Sequence, residues 1–209
     1  MSNRSIIYID GFNLYYGLVK DTPWKWLDIH SYFQKRRPHD DIKIIKYFTA
    51  IAKNSEDQDK YLSALSTLPL VRIIYGKFKP VNIECKHPDC DYQGDRIFTK
   101  QEEKRTDVNI AIHMLNDACS DSCDRLVLVS GDSDLVPALN MIKSLVPNKM
   151  LWVYVPAPEM NHKRAWATEL RKYSDKNGTL VPERLLEVCQ LPEIVPYGND
   201  DYISKPASW

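Results

Sequence analysis

A chain of 209 residues with 44% hydrophobic positions can bury one full core, or one core with a small appendage. Lys plus Arg and Asp plus Glu both number 28, so bulk charge is excluded as a means of holding a polyanion, and any nucleic-acid recognition has to come from local patches and metal. No apolar run approaches bilayer length, Ser5–Ile9 is too short for an export signal, and five cysteines fit a reducing environment, so a cytoplasmic protein off the membrane is expected.

Ser5–Ile9 is a β-branched run ending at Asp10–Gly11, a strand followed by an acid and a turn. Phe12–Val19 is predicted as a short helix. Leu27–Arg37 is a second, capped by Asp28 and stopped by Pro38. Ile42–Ala52 reads as a strand, Glu56–Leu68 as a helix ended by Pro69, and Val71–Lys79 as a third strand. Residues 80–100 form a polar insertion without a core of its own. Gln101–Cys119 is the clearest helix, with Val108, Ala111, Ile112 and Leu115 as its apolar stripe. The strand Leu126–Val129 ends at Ser130–Gly131, with Asp132 and Asp134 just beyond. Helix Leu135–Leu145, strand Met150–Val155 and helix Asn161–Lys172, with Trp166 as a packing residue, follow. Leu185–Cys189 closes the ordered part, and Pro192–Trp209 reads as a tail pinned by Tyr202 and Trp209. The domain is drawn over residues 1–175 and an extension over 176–209. Alternating strands and helices predict an α/β fold, a three-layer α/β/α sandwich around a mainly parallel sheet.

Asp10 and Asp132 end two strands that are plausible neighbours at the switch point of such a sheet, where ligands bind. Asp107 lies in the first turns of the long helix, and Asp134 lies two residues past Asp132. Four carboxylates in one cleft raise each other's pKa, and a divalent cation removes that conflict. All-oxygen ligation favours Mg²⁺ or Mn²⁺. The chemistry that follows is attack of activated water on a phosphodiester. The bland alternative is that each Asp caps a helix or turn. Asn13 either holds a water or substrate phosphate or pins the turn. Ser130 and Ser133 are donors to carboxylate or phosphate, with helix capping the favoured role of Ser133.

Lys104 and Arg105, with Arg96 and Lys100, flank Asp107 and are candidate phosphate contacts. Further basic clusters are Lys35–Arg37, Lys77–Lys79 and Lys163–Arg164. Tyr15, Tyr16, Trp24 and Trp26 follow Asp10, as base-stacking rings or as core. Cys85, His87 and Cys90 invite a zinc reading, but Cys119 and Cys123 sit at the far end of a long helix, roughly 25–30 Å away.

The stretches IYIDGFNLYYGL at Ile7–Leu18, EKRTDVNIAIHML at Glu103–Leu115 and LVLVSGDSDLVPAL at Leu126–Leu139 together resemble the NYN domain, a PIN-like nuclease family that includes LabA-type bacterial proteins. The resemblance implies a PIN-like fold and a metal-dependent endoribonuclease acting on single-stranded RNA. By motif position it assigns Asp10 and Asn13 to the first motif, Asp107 to the helix acid, and Asp132 and Asp134 to the last. His113 stands where family members often carry Asp. Two alternatives stand beside it: a non-catalytic RNA-binding module, and a phosphatase of haloacid-dehalogenase type. The second lacks the required acid at position 12, which is Phe12. A homodimer is left open, as is DNA in place of RNA.

Overall fold

The first strand, β1 (Asn3–Asp10), is buried from Ser5 onward and lies at the centre of the sheet. The structure is a computed structural model and describes residues 3–51, 55–87, 90–157, 167–179 and 183–209. The other sheet strands are β2 (Asp40–Thr49), β3 (Val71–Tyr75), β6 (Arg125–Val129), β7 (Met150–Val155) and β8 (Lys176–Thr179). Their order is β3-β2-β1-β6-β7-β8, all parallel. The strand order reverses between β1 and β6. This is the α/β sandwich expected from the alternation of elements. Residues from 176 on, drawn as an extension, supply β8 beside β7 and the core residues Leu186, Leu191 and Val195.

Strand alternation sorts the core into two halves. Ile7, Ile9, Tyr47, Val127 and Val129 face one side, under α1 (Gly11–Leu14), α2 (Ile29–Arg36), α3 (Glu56–Ser66) and α7 (Glu183–Val188). Ile6, Tyr8, Phe48, Leu126 and Leu128 face the other, under α4 (Thr106–Cys119), α5 (Val136–Leu145) and α6 (Thr168–Lys172). Asp28 caps α2 as expected, accepting the Ser31 N–H at 2.8 Å.

Three sequence expectations are corrected. The third strand stops at Tyr75, and residues 80–100 are no formless insertion. The chain turns at Gly76 into the antiparallel hairpin β4 (Lys77–Glu84) and β5 (Ile97–Lys104). A two-stranded ribbon needs little buried face, so a polar composition hides it. The long helix therefore starts at Thr106. Its inward stripe is Ile110, Met114 and Ala118, while Val108 and Ile112 are exposed. Finally, residues 192–209 are not a loose tail. They carry β9 (Ile194–Tyr197) and β10 (Asp201–Ser204), and Trp209 packs on Trp26 and Tyr61 with ring centroids 6.2 and 5.3 Å away. Tyr202 is exposed and pins nothing. Residues 161–166 of the expected helix, with Lys163–Arg164 and Trp166, lie outside the described residues. No helix among those described is long and apolar enough to cross a membrane.

Candidate active site

Register pairs Ile9 with Val129, which sets Asp10 beside Ser130 at the carboxyl ends of the two central strands. Ser130 Oγ donates to Asp10 Oδ2 at 3.0 Å and accepts the Asp132 N–H at 3.1 Å. Asn13 lies one helical turn past Asp10. Its backbone N–H donates to Asp10 Oδ1 at 3.0 Å, and its Nδ2 to Oδ2 at 2.6 Å. The Asn13 Oδ1 accepts the Gly131 N–H at 3.2 Å. Asn13 and Ser130 thus stitch the turn after β1 to the turn after β6. Asp132 Oδ1 accepts the Asp134 N–H at 2.9 Å, so Asp132 caps the next turn, a role the sequence reading gave to Ser133. Gly11 is required here: a Cβ would lie 2.8 Å from the Phe48 carbonyl oxygen and 2.9 Å from the Tyr47 ring.

Burial pushes the Asp10 carboxyl above its ordinary value; the Asn13 and Ser130 hydrogen bonds oppose this and the Asp132 charge adds to it. Asp107 is pushed up to about 6, by burial first and then by the charges of Asp10, Asp132, Glu103 and Asp134. Asp10, Asp132, Glu103 and Asp134 are thus all near enough to Asp107 to raise its carboxyl. The donors are all oxygen, the set that suits Mg²⁺ or Mn²⁺. Among the described residues no three His, Cys, Asp or Glu side chains stand together at metal-binding distance. Asp10, Asp107, Asp132 and Asp134 fit a divalent cation by charge and chemistry, with Asn13 and Ser130 fixing the orientation of Asp10.

Glu103 escaped the sequence reading. It sits at the end of β5, where its Oε1 accepts the Thr106 N–H at 3.1 Å and the Thr106 hydroxyl, capping α4. Its signal was the Glu-x-x-Thr spacing, obscured by taking 101–105 as helix. Lys104 was expected beside the acids. Strand alternation places it on the hairpin face opposite Glu103 and Phe78, and its ammonium pairs with Glu102 at 2.9 Å. Arg105 is exposed and holds a left-handed backbone, φ 82°, directly before the helix. His113 is turned from the acids: its Nδ1 lies 3.3 Å from Lys46 Nζ and its ring stands edge-on to Phe48. Cys85 and Cys90 are neighbours, and the Cys85 thiol is held below its ordinary value by the His87 backbone and by Cys90.

A cavity of about 390 Å³ opens beside Gly11. Tyr15, Tyr47, Tyr61, Phe78 and Trp209 contribute to its walls. A π-helical turn, Tyr15–Val19, brings Tyr15 and Tyr16 to it. Trp26 does not reach it; that ring is fully buried, and its Nε1 donates to the Pro192 carbonyl at 2.9 Å.

The NYN domain model matches residues 4–176. The chain is 32% identical, over 239 aligned positions, to the 6-hydroxy-3-succinoylpyridine 3-monooxygenase HspA of Pseudomonas putida (strain DSM 28022 / S16), covering 99% of this chain and 75% of that protein. A crystal structure of a protein of unknown function from Vibrio parahaemolyticus superposes with a TM-score of 0.56 at 20% identity, covering 86% of this chain and 94% of the other. That likeness supports the fold. On the extent of the domain match, with the three motifs on its sheet edge, the chain belongs to the NYN domain family.

Proposed function

We propose that this NYN protein is a metal-dependent endoribonuclease of single-stranded RNA. The observation that carries the reading is the Asp10–Ser130–Asp132 bridge at the switch point, with Asp107 raised to about 6 by its acidic neighbours. Asp10, Asp107, Asp132 and Asp134 would hold the cation. A bound Mg²⁺ or Mn²⁺ supplies a Lewis acid for the phosphoryl oxygen and an acidified water. Asn13 and Ser130 hold Asp10 in one orientation, so the carboxylate presents the same lone pair throughout. The exposed Asp134 takes solvent-side work, accepting a proton or a water ligand. Arg105 stands next to Thr106–Asp107 as the nearest cation in sequence for a phosphate of the incoming strand.

A second reading comes from the relative named as a monooxygenase, and the aromatic cavity favours it. Its size lies within the roughly 300–1,000 Å³ of small-ligand sites. On this reading a hydroxypyridine enters the cavity and is hydroxylated with dioxygen and a two-electron donor.

One assay separates the two. Labelled single-stranded RNA is incubated with Mn²⁺, Mg²⁺ or chelator, for the native chain, Asp10→Asn and Asp132→Asn. Metal-dependent cleavage absent from both variants supports the nuclease. Intact RNA, with oxygen uptake on 6-hydroxy-3-succinoylpyridine plus a reductant, replaces it with the second reading.

A further inference from the structure

We infer that the cavity beside Gly11 is a pocket for one unpaired nucleobase, with Trp209 as its stacking wall. The inference rests on the nuclease reading for the source of the base and deepens it.

Three observations carry it. The first is the nature of the walls. Trp209 lies 5.3 Å from Tyr61 and 6.5 Å from Tyr15, measured between ring centroids. Phe12 stands edge-on to Phe78 at 5.7 Å. These rings pack on one another and leave their remaining faces and edges lining the cavity, where an entering flat ring can make stacked or edge-on contacts, both of which are favourable. The second is the mouth. Lys25 Nζ donates to the Ser208 carbonyl at 2.7 Å and lies 5.8 Å over the Trp209 ring, while the Ser208 hydroxyl donates to Asp57 at 2.5 Å. This cross-link holds Trp209 in place and makes the rim of the cavity polar. The third is position. Tyr47 lines the cavity and touches the space over Gly11, the residue directly after Asp10. The cavity therefore begins where the acidic rim ends. A phosphate held at the acids sends a neighbouring base toward Trp209.

Base-on-aromatic stacking tolerates any base, since each has a π-face. The pocket thus selects single strands over duplexes, whose bases are already stacked, without fixing a sequence.

The test uses the full chain. RNA cleavage with Mn²⁺ is compared for an oligonucleotide and for copies carrying one abasic site at each position in turn. In parallel, binding of AMP and UMP is measured by titration calorimetry in chelator, for the native chain, Trp209→Ala, Trp209→Phe and Phe78→Ala. The expected result is one abasic position that raises KM about tenfold or more with kcat changed less. Saturable nucleotide binding should weaken in Trp209→Ala and recover in Trp209→Phe. Phe78 sits on the surface hairpin, so its variant reads the pocket even where Trp209→Ala fails to fold. Cleavage indifferent to every abasic site, with no nucleotide binding, overturns the pocket and leaves the nuclease standing. Nucleotide binding without RNA cleavage keeps the pocket, as a free-nucleotide site, and removes the nuclease.

Discussion

Ser130 links Asp10 to Asp132, donating to the first carboxylate at 3.0 Å and accepting from the second residue's N–H at 3.1 Å. One hydroxyl therefore sets both the lone-pair direction of a buried acid and the start of the turn that carries Asp132 and Asp134. Ser130→Ala removes both bonds without adding volume. The expected effect is a 10–100-fold loss in Mn²⁺ affinity or metal-dependent cleavage, the range seen when groups behind metal ligands are removed. Stability should fall by only about 1 kcal/mol. A Mn²⁺ titration of activity beside a thermal melt checks both. A large loss of fold with unchanged metal dependence would contradict this role.

At the opposite end of the sheet, Asp40 is buried among Ser5, Arg37 and Arg125. The guanidinium groups stack on Trp152, with Arg37 3.9 Å and Arg125 4.4 Å from the ring centroid. Burial pushes the Asp40 carboxyl up, but bonds from Ser5, Arg37 and Arg125 outweigh it and hold the group below its ordinary value of 3.8. A depressed carboxyl stabilises the fold above its unfolded value, and the benefit fades as pH falls through the lower folded value. Asp40→Asn should cost about 3–5 kcal/mol at pH 7, because two buried cations lose their partner. The gap from the native chain should narrow below about pH 4. Denaturant melts at pH 7 and pH 3 measure it.

A second buried set joins the sheet to α4. Lys46 Nζ donates to Asp117 Oδ2 at 2.5 Å, and the Tyr8 hydroxyl donates to the same oxygen at 2.7 Å. Both members of the ion pair are under 10% exposed, at 7% and 8%. Lys46→Ala strands a buried carboxylate and should lower stability by about 3–5 kcal/mol. The double variant Lys46→Met, Asp117→Leu should recover most of this, since well-packed apolar pairs often replace buried ions without loss. His113 lies against this set, so His113→Asp should weaken the fold beside Phe48 and leave metal affinity unchanged. Melts of the three variants and a Mn²⁺ titration of the last decide it.

Much of this was legible in the residues. Asp10 and Asp132 each follow a short β-branched run, and the switch-point rule makes such strand ends neighbours. The helix packing was not. Spacing of four recurs on α4, as in Val108 and Ile112 and in Ile110 and Met114, and only the sheet face offered by Phe48 and Leu126 selects the latter pair. The hairpin was hidden because Lys77, Lys79, Lys100 and Lys104 fall on one of its faces and make the stretch read as loop. Trp209 is 162 residues from the Tyr47 it shares a cavity with, a contact no local pattern reports.

The acidic rim itself sets stability against function. Asp107 is pushed up to about 6 by burial and by Asp10, Asp132, Glu103 and Asp134. A carboxyl raised in the folded state lowers stability once pH exceeds its unfolded value of 3.8, and the loss grows until pH passes about 6. Asp107→Asn should therefore melt with the native chain near pH 4 in chelator, and above it at pH 8. A rise of roughly 2–4 °C is expected, the shift that about 1 kcal/mol produces at this size. Mn²⁺ should reverse the ranking at pH 8. At a hundred times its Kd a cation stabilises the native chain by about 2.7 kcal/mol, and the variant gains less because it has lost a ligand. Melting curves with and without Mn²⁺ at the two pH values read all four states. A variant that is less stable than the native chain in chelator at pH 8 would mean that Asp107 is held by favourable contacts rather than strained by like charge.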